Sequence, residues 1–290
     1  MKVALYGQGY SRETEAALND MLEVLQTYAA EVIIEEDFRR YFSKTMKSFD
    51  VFNQQYGLDA SCDLFVSFGG DGTVLRAITY VRDMGIPVVG VNTGRLGFLS
   101  TIRTDQVQQL VRDFFAGAYH LVDRCLVAVD LDRPASEDFM NFALNEVTVS
   151  RKDTTSMITV ETYLDNEYLT SYWADGLIVA TPTGSTGYSL SCGGPVITPS
   201  AQSLVLTPIA PHNLNARPMV ISDTTVIKLK VSGREPQHLL SLDSRITSLD
   251  NGTEITITKA DFSVKMVEFP SESFFKTIRH KLLWGEDRRN

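Results

Sequence analysis

The stretch Leu64-Phe-Val-Ser-Phe-Gly-Gly-Asp-Gly-Thr73 decides the fold of the first half of this 290-residue chain. Its first five residues predict a buried strand, and the glycines that follow predict a turn into a helix beginning near Thr73. Asp71 stands between two glycines, so a phosphate can approach the backbone there without meeting a Cβ. The turn predicts a site for phosphate chemistry, and we interpret that chemistry as phosphoryl transfer.

Strand-like and helix-like segments alternate along the first 119 residues. Strands are predicted at residues 3–6, 31–35, 64–68 and 87–91. Helices are predicted at 14–28, 37–48 and 105–115, in addition to the one after the glycine turn. Strands separated by helices predict a Rossmann-like parallel α/β domain, in which ligands bind at the carboxyl ends of the strands. The turn at Gly69 lies at such an end.

From residue 120 the pattern changes to short segments of alternating apolar and polar residues. Strands are predicted at 126–131, 146–149, 158–163, 168–173, 177–180, 226–231, 254–258 and 263–267. Asp165-Asn-Glu167 and Asp250-Asn-Gly252 are predicted hairpin turns, because Asn and Gly tolerate positive φ. We therefore expect a mostly β, sandwich-like domain over residues 120–270.

The chain ends in a predicted amphipathic helix, Glu272 to Trp284, which we expect to pack back on the α/β domain. The expected domains are thus 1–119, 120–270 and 271–290. The apolar face of this helix is expected to consist of Phe274, Phe275, Ile278, Leu282 and Leu283.

A second unusual stretch, Thr181 to Pro195, interleaves hydroxyl side chains with glycines. Such a run places many donors and acceptors on a pliable backbone, which suits a polar nucleotide. A flexible Ser/Gly loop is the alternative, and the rigid or apolar Pro182, Tyr188 and Leu190 argue against it. The candidate binding residues in this stretch are Thr183, Thr186, Gly187, Tyr188, Ser189 and Ser191.

Asn145-Glu146 and Asp175-Gly176 place acidic residues at the edges of predicted strands, where a carboxylate can accept both hydroxyls of a ribose. Taken alone, each pair fits a hairpin end facing water better than a ribose site. Taken alone, Asp71 fits a helix N-cap as well as it fits a catalytic base. Arg76, four residues after Asp71, faces either a phosphate or a partner in a surface salt bridge.

The composition of the chain excludes some classes of binding partner. The net charge of −9 argues against a generic nucleic-acid or anionic-membrane binder, because neither polyanion is attracted to an acidic surface. The three cysteines and four histidines lack metal-ligand spacing, so no metal held by the protein itself is expected. Dispersed cysteines, with no signal-peptide pattern and no run of transmembrane length, predict a soluble cytoplasmic protein.

Taken together, these motifs make the chain resemble the NAD kinases, which transfer the γ-phosphate of ATP to the 2′-hydroxyl of the adenosine ribose of NAD. The resemblance covers roughly residues 64–270 and rests on motifs in the family's order: Gly69-Gly-Asp-Gly72, Leu144-Asn-Glu-Val147, Asp175-Gly176, and Thr181 to Pro195. The segment Asn92-Thr-Gly-Arg-Leu-Gly-Phe98 also resembles the family's loop beside the nucleotide.

The resemblance implies a site in the cleft between an α/β and a β domain, a magnesium ion carried with ATP, and a homodimer or homotetramer in which some residues reach a neighbouring subunit's NAD. Asp71 would be the general base for the ribose hydroxyl, with the backbone of Gly70 and Gly72 beside it and Arg76 near phosphate. The nucleotide contacts would come from Phe98, Asn145, Glu146, Asp175, Thr183, Thr186, Gly187, Tyr188, Ser189 and Ser191.

Three features depart from the family pattern. Gly187 and Cys192 stand where relatives often have Ala, which leaves the site open. Trp173 stands where several bacterial relatives have Arg, which bears on discrimination between NAD and NADH. Asp243-Ser-Arg245 stands where many relatives have Asp-Gly-Gln, so that this loop is expected to bind differently or not at all.

Two other functions share some of these features. A lipid kinase of the same superfamily would carry the Gly-Gly-Asp-Gly turn, but the polar Thr181 to Ser191 block and the acidic charge weigh against an apolar acceptor. A non-catalytic dinucleotide sensor would use the same nucleotide residues without phosphotransfer. Asp71 discriminates here, because a sensor has no use for a base beside the ribose hydroxyl.

Overall fold

The structure, a computed structural model, describes residues 1–42, 48–133, 139–153, 156–270 and 272–285. By its internal contacts the chain divides into two compact units, Met1–Asp123 with Val264–Asn290, and Arg124–Ser263. The domain limits 1–119, 120–270 and 271–290 stay sequence-based predictions. Within the described ranges no helix is both long and apolar enough to cross a membrane.

The elements alternate between strands and helices in the first unit and are mainly strands in the second. Strands β1 to β18 are Lys2–Gly7, Glu31–Glu35, Asp50–Phe52, Leu64–Phe68, Val88–Asn92, Ile102–Arg103, His120–Leu131, Phe142–Ala143, Glu146–Arg151, Ile158–Leu164, Glu167–Ala174, Gly176–Ala180, Ser203–Ile209, Met219–Ser222, Ile227–Gly233, Gln237–Leu242, Arg245–Asp250 and Glu254–Glu268. Helices α1 to α6 are Arg12–Thr27, Glu36–Tyr41, Asp71–Val81, Val107–Phe115, Tyr188–Ser191 and Phe274–Leu282, with 3₁₀ helices at Thr104–Gln106 and Gly184–Thr186.

The first unit is built on a parallel sheet with the strand order β3-β2-β1-β4-β5, and the last part of β18 pairs with β5 in parallel through Met266 and Val88. The strand order reverses between β1 and β4, which makes the carboxyl ends of these two strands the switch point where open α/β sheets bind ligands. All five residues of β4 are buried, as expected for a strand covered on both faces. The predicted Rossmann-like fold of this part is confirmed.

Helix α1 shows how the sequence sets a local element. The Ser11 hydroxyl accepts a hydrogen bond of 3.0 Å from the Thr14 amide, so the helix begins with a side-chain cap. Its apolar residues recur at helical spacing and enter the core of the unit: Ala17, Leu18, Met21, Val24 and Leu25. Burial of this face, rather than intrinsic helix propensity, supplies most of the helix's stability.

The second unit is a β sandwich, which confirms the predicted fold class. One antiparallel sheet has the order β14-β13-β12-β9-β16-β17, and the other contains β11-β10-β15 with the first part of β18. Alternate residues from both sheets meet in one buried cluster, for example Val149 and Leu177 from the first sheet with Val160 and Leu229 from the second. This two-layer core results from the apolar-polar alternation in the sequence.

Some predicted elements differ from the structure. The segments 254–258 and 263–267 belong to one continuous strand, β18, because residues 259–262 continue the extended backbone although Asp261 is among them. The turn at Asn251 and Gly252 joins β17 to β18, which lie in different sheets, so it is not a hairpin. The turn at Asp165 and Asn166 is a hairpin turn, with φ of 50° and 68°.

Several other bounds also shift. The helix after the glycine turn begins at Asp71 rather than near Thr73, and helix α2 is shorter than predicted, with residues 43–47 outside the described part. Strands β13, β14, β16 and β17 were not predicted at all. In β17 no residue is fully buried, so its apolar pattern is weak.

The expected apolar face of the C-terminal helix α6 is only partly correct. Ile278 is buried, whereas Phe275 and Leu283 are 61% and 54% exposed. Ser273 caps the start of the helix by accepting from the Lys276 amide, so the helix is well defined by its cap despite a narrow buried face. The last turn carries Arg279, His280 and Lys281.

Candidate functional site

The glycine turn after β4 leaves an open backbone at the switch point. Gly69 has φ of 151°, and a Cβ there would lie 2.1 Å from Thr73 Oγ1, so only glycine fits. Gly70 is the N-cap of α3 without a side-chain cap, and a Cβ on Gly70 or Gly72 would meet nothing within 4 Å. The first amides of α3 therefore have no side-chain cap. Those of Thr73 and Val74 donate to the Gly70 carbonyl, and the absence of a Cβ on Gly70 and Gly72 lets an anionic ligand approach the helix start.

Asp71 is the first residue of α3, not its N-cap, so the N-cap interpretation is wrong. Its carboxylate accepts three backbone N–H bonds from another loop: Phe98 at 2.8 Å to Oδ2, and Leu99 and Ser100 each at 2.9 Å to Oδ1. A carboxylate has about four acceptor positions, so these bonds leave roughly one, on Oδ2. The side chain is rigidly oriented and keeps the capacity to accept a proton from a ligand hydroxyl.

The loop that holds Asp71 is itself tied to the end of β5. Asn92 Nδ2 donates to the carbonyl oxygens of Arg95 and Ser100 at 2.7 and 3.2 Å, and Asn92 Oδ1 accepts from the Gly94 amide. Ser100 Oγ donates to the Gly69 carbonyl at 2.8 Å. A Cβ on Gly97 would lie 1.8 Å from Asp71 Oδ1, so this glycine is required for the carboxylate to reach the loop.

Two further predicted residues, Phe98 and Arg76, belong to the first unit. Phe98 is half-buried, and the Lys281 ammonium of α6 lies 4.8 Å from its ring centroid in a cation–π contact. Arg76 is exposed on α3, one helical turn beyond the glycine turn. Its positive charge lowers the pKa of Tyr6 and Tyr80, although their burial, the larger cause, raises both.

In the second unit, Asn145 and Glu146 form a tight turn into β9 that packs on the Thr181 stretch. The Thr181 amide donates to the Asn145 carbonyl at 2.8 Å, and Thr181 Oγ1 donates to the Leu144 carbonyl at 2.6 Å. A Cβ on Gly184 would lie 2.1 Å from the Asn145 carbonyl oxygen. Glycine at this position lets the two backbones touch.

The same turn holds buried acceptors without partners. Asn145 Oδ1, Glu146 Oε2 and Thr183 Oγ1 are buried and have no hydrogen-bond partner in the structure. Buried polar atoms in folded proteins are almost always paired, so these three acceptors are available to hydrogen-bond a ligand or water. Burial, followed by the nearby charge of Asp243, raises the pKa of Glu146 to about 8, and the Tyr188 amide opposes that rise.

The Thr181 stretch is ordered rather than flexible, because a 3₁₀ turn leads directly into α5. Tyr188 is 46% exposed, and burial of its hydroxyl, then Cys192, Asp175 and Glu146, raise its pKa. The structure thus brings Tyr188, Asp175 and Glu146 into one electrostatic neighbourhood. Gly187 lies against this group, since a Cβ there would be 3.1 Å from Glu146 Oε2.

The remaining predicted residues differ in how exposed their side chains are and in whether they already have partners. Thr186 is half-buried and Ser191 is exposed. Ser189 is fully buried, and its Oγ bonds Thr207 Oγ1 at 2.8 Å, so its side chain holds the loop in place. Asp175 pairs with Arg151 at 2.9 Å. We therefore leave the Ser189 hydroxyl out of the proposed ligand contacts.

The residues that support these loops were not predicted as site residues, although Asn92 and Gly97 lie in the segment Asn92 to Phe98 and Asp243 begins the Asp243-Ser-Arg245 loop. Asn92, Gly97 and Ser100 hold or accommodate Asp71, and Asp243 holds the Asn145 turn. An Asn just before Thr-Gly is a recognisable signal for a side-chain-bonded turn. Ser100 carries no local signal, and the role of Asp243 could not be predicted because its contacts join residues 97 to 99 positions apart in the chain.

Comparisons with known proteins identify the family of this chain. The family model described as ATP-NAD kinase N-terminal domain matches residues 10–119, and the one described as ATP-NAD kinase C-terminal domain matches residues 144–269. A NAD kinase of Christiangramia forsetii is 55% identical, over the full length of both chains.

Two solved structures are also similar. A NAD kinase from Archaeoglobus fulgidus in complex with ATP has a TM-score of 0.73 and 28% identity, covering 98% of this chain and 99% of that one. Yeast NADH kinase complexed with NADH has a TM-score of 0.88, with 99% and 88% covered. At 24% identity, that likeness shows the fold alone.

The fold and the matching family models define a kinase, an enzyme of the transferase class. The chain belongs to the NAD kinase family.

Proposed function

We propose that this protein transfers the γ-phosphate of ATP to the 2′-hydroxyl of the adenosine ribose of NAD, giving NADP and ADP. The observation that carries the proposal is Asp71, held by three backbone amides at the open N-terminus of α3 with one acceptor position left on Oδ2. The family membership and the likeness to an ATP-bound NAD kinase support the choice of substrates. The lipid kinase and the sensor are not favoured.

The proposed step needs a base and accurate positioning. Asp71 accepts the proton of the 2′-hydroxyl as its oxygen bonds to the γ-phosphorus, and the bond from that phosphorus to the leaving ADP oxygen breaks. An alcohol is a poor nucleophile at neutral pH, so a fixed carboxylate within hydrogen-bond reach contributes to the rate. The uncapped amides of α3 and the exposed Arg76 are suited to stabilise phosphate charge.

The second unit supplies the proposed dinucleotide contacts. Glu146 Oε2 accepts from ribose hydroxyls, and Asn145 Oδ1 accepts from the adenine amino group, which would satisfy two of the three unpaired acceptors. Further contacts come from Asp175, Thr183, Thr186, Gly187, Tyr188 and Ser191. Phe98 of the first unit offers an aromatic face to a base.

The proposal includes a divalent cation, most simply Mg²⁺, that enters bound to ATP and neutralises phosphate charge. Among the described residues, no three His, Cys, Asp or Glu side chains are grouped closely enough to hold a metal ion. The ATP oxygens would therefore be its main ligands. We also propose a cytoplasmic homodimer or homotetramer, which sedimentation of the purified protein would test.

The first experiment is to incubate the protein with NAD, ATP and Mg²⁺ and to detect NADP with an NADP-specific dehydrogenase. In parallel, Asp71→Asn is expected to lower kcat by about 100-fold or more, the range for a positioned acid–base group, with little change in the Kd for NAD. Asp59→Asn is the matched control, because Asp59 is an exposed aspartate of the same unit that caps a backbone amide, that of Ser61.

Absence of NADP with wild-type protein that still binds NAD would contradict the proposed reaction and favour the sensor. NADP formation that is unchanged in Asp71→Asn would remove Asp71 from the mechanism while leaving the reaction in place.

A further inference from the structure

A buried aspartate outside the proposed contacts holds the Asn145 turn from behind. Asp243 lies between β16 and β17, and its side chain is 6% exposed. Its Oδ2 accepts from the Leu144 amide at 3.0 Å, and its Oδ1 accepts from the amides of Asn145 and Glu146 at 2.8 and 3.2 Å. Three successive amides therefore converge on one carboxylate.

We propose that Asp243 is a positioning residue for dinucleotide binding, which fixes residues 144–146 so that the Asn145 and Glu146 side chains present their unpaired acceptors to the ligand. The inference rests on the proposed function for the identity of that ligand. It assigns a role to the Asp243-Ser-Arg245 loop, which the sequence left without one.

Asp243 and the turn at residues 144–146 each donate hydrogen bonds to the other. The Asp243 amide donates to the Glu146 carbonyl at 3.0 Å, while the Asp243 side chain accepts from the Glu146 amide. Asp243 has φ of 53°, and Ser241 Oγ donates to its carbonyl at 2.9 Å, so its own backbone is held in a left-handed conformation. The two oxygens of the Asp243 carboxyl group together accept from three amides, which makes this side chain an effective anchor for the turn.

Arg245, two residues after Asp243, holds the segment that precedes the Asn145 turn. Its guanidinium donates to the carbonyl oxygens of Met140, at 3.0 Å, and Phe142, and lies 5.1 Å from the Phe142 ring centroid. Arg245 Nη2 is also 3.9 Å from Asp243 Oδ2. The planar fork of arginine suits two carbonyls at once, which a lysine cannot reproduce.

The arrangement has an electrostatic consequence that a merely structural contact would lack. Burial raises the pKa of Asp243, and the three amides and Arg245 oppose that rise. The charge of Asp243 in turn adds to burial in raising the pKa of Glu146, while the Tyr188 amide lowers it. The groups that face Glu146 are thus Asp243 and Tyr188, with Arg245 beside Asp243. Removing the charge at 243 should lower the pKa of Glu146.

The test uses Asp243→Asn in the full chain, because asparagine tolerates the left-handed conformation and keeps one acceptor oxygen. Its matched control is Asp165→Asn. Asp165 has φ of 50° and caps the Val226 amide at 3.0 Å in an exposed hairpin turn, so it shares the conformation and the bond type but not the contact with residues 144–146.

Hydrogen exchange of the amides of residues 144–146 and the Kd for NAD across pH 6 to 9 are measured in each protein. In wild type, NAD binding should strengthen as pH rises through about 8, because an ionised Glu146 accepts hydrogen bonds from the ribose hydroxyls more strongly than the protonated form does. In Asp243→Asn we expect faster exchange at 144–146, a Kd raised about 10-fold at high pH, and a pH midpoint moved downward. Asp165→Asn should match wild type in all three.

Two results would overturn the inference: unchanged exchange at 144–146 in Asp243→Asn, or faster exchange with the Kd and its pH midpoint unchanged. If Asp243→Asn does not fold, Arg245→Lys takes its place, with a Kd raised about 3-fold as support and an unchanged Kd as refutation. If the wild-type protein makes no NADP, the proposed function is refuted instead. If the wild-type protein makes NADP but Asp243→Asn behaves like the control Asp165→Asn, only the inference about Asp243 is refuted.

Discussion

Replacement of Gly97 by alanine tests whether Asp71 owes its orientation to the loop that it contacts. The added Cβ would lie 1.8 Å from Asp71 Oδ1, and ordinary contact begins near 3.4 Å. Either the carboxylate or the loop must therefore move by about 1.6 Å. Unlike Asp71→Asn, this change leaves the carboxylate in place chemically and alters only its position.

The size of the effect follows from the bonds at that oxygen. Oδ1 accepts from the Leu99 and Ser100 amides at 2.9 Å each, and a shift of this size breaks or weakens both. Hydrogen bonds to charged groups contribute about 1.5–3 kcal/mol each, so allowing for relaxation we expect a loss of about 3 kcal/mol in the free energy of unfolding. A misplacement near 1 Å can cost about 100-fold in rate, so kcat should fall by a similar factor.

The control is Gly94→Ala in the same loop, where a Cβ would meet nothing within 4 Å. Urea unfolding compares the stability of the two variants, and the coupled NADP assay gives kcat for Gly97→Ala. If Gly97→Ala were as stable as Gly94→Ala and kept wild-type kcat, the argument that three amides and a glycine fix Asp71 would be refuted.

Two further predictions concern the second unit. Glu146→Gln removes a buried carboxyl that the folded protein keeps protonated up to about pH 8, whereas the unfolded chain releases that proton near pH 4.5. The free energy of unfolding of the wild-type protein should therefore decrease as pH rises from about 4.5 to about 8, and that of Glu146→Gln should lack this decrease. A Tm difference between the two proteins that stays constant from about pH 5 to 8 would contradict this. Ser189→Ala removes the partner of Thr207 Oγ1 and should cost about 1–3 kcal/mol in urea unfolding. A cost below about 0.5 kcal/mol, the range of surface substitutions, would contradict the packing role of Ser189.

The sequence predicted well the elements whose signals are local. The strand Leu64–Phe68 and its glycine turn, the α/β alternation of the first part and the hairpin turn at Asp165 depend on residues adjacent in the chain. Strands β16 and β17 were missed, and two predicted strands proved to be the single strand β18. Local pattern does not report which strand pairs with which, and that pairing decides these cases.

The nucleotide-site residues divide in the same way. Tyr188 was identified because it lies in an unusual stretch of hydroxyl side chains and glycines, whereas Asn145 and Glu146 were identified through the resemblance to a known family. The sequence did not show which side chains are accessible to a ligand. Ser189 is buried although Ser191, of the same residue type, is exposed. A hydroxyl in a Ser/Gly-rich stretch points inward or outward according to the backbone path, which composition does not specify.

By itself, the sequence determined the alternation of strands and helices in the first unit, the family and the identity of the candidate base, because periodicity and short motifs are properties of neighbouring residues. Only the tertiary structure decided how two carboxylates are used. Asp71 accepts from amides 27 to 29 residues away, and Asp243 accepts from amides 97 to 99 residues away. Such contacts form only after the chain has folded, because the backbone donors converge on one carboxylate through the arrangement of strands rather than through spacing along the chain.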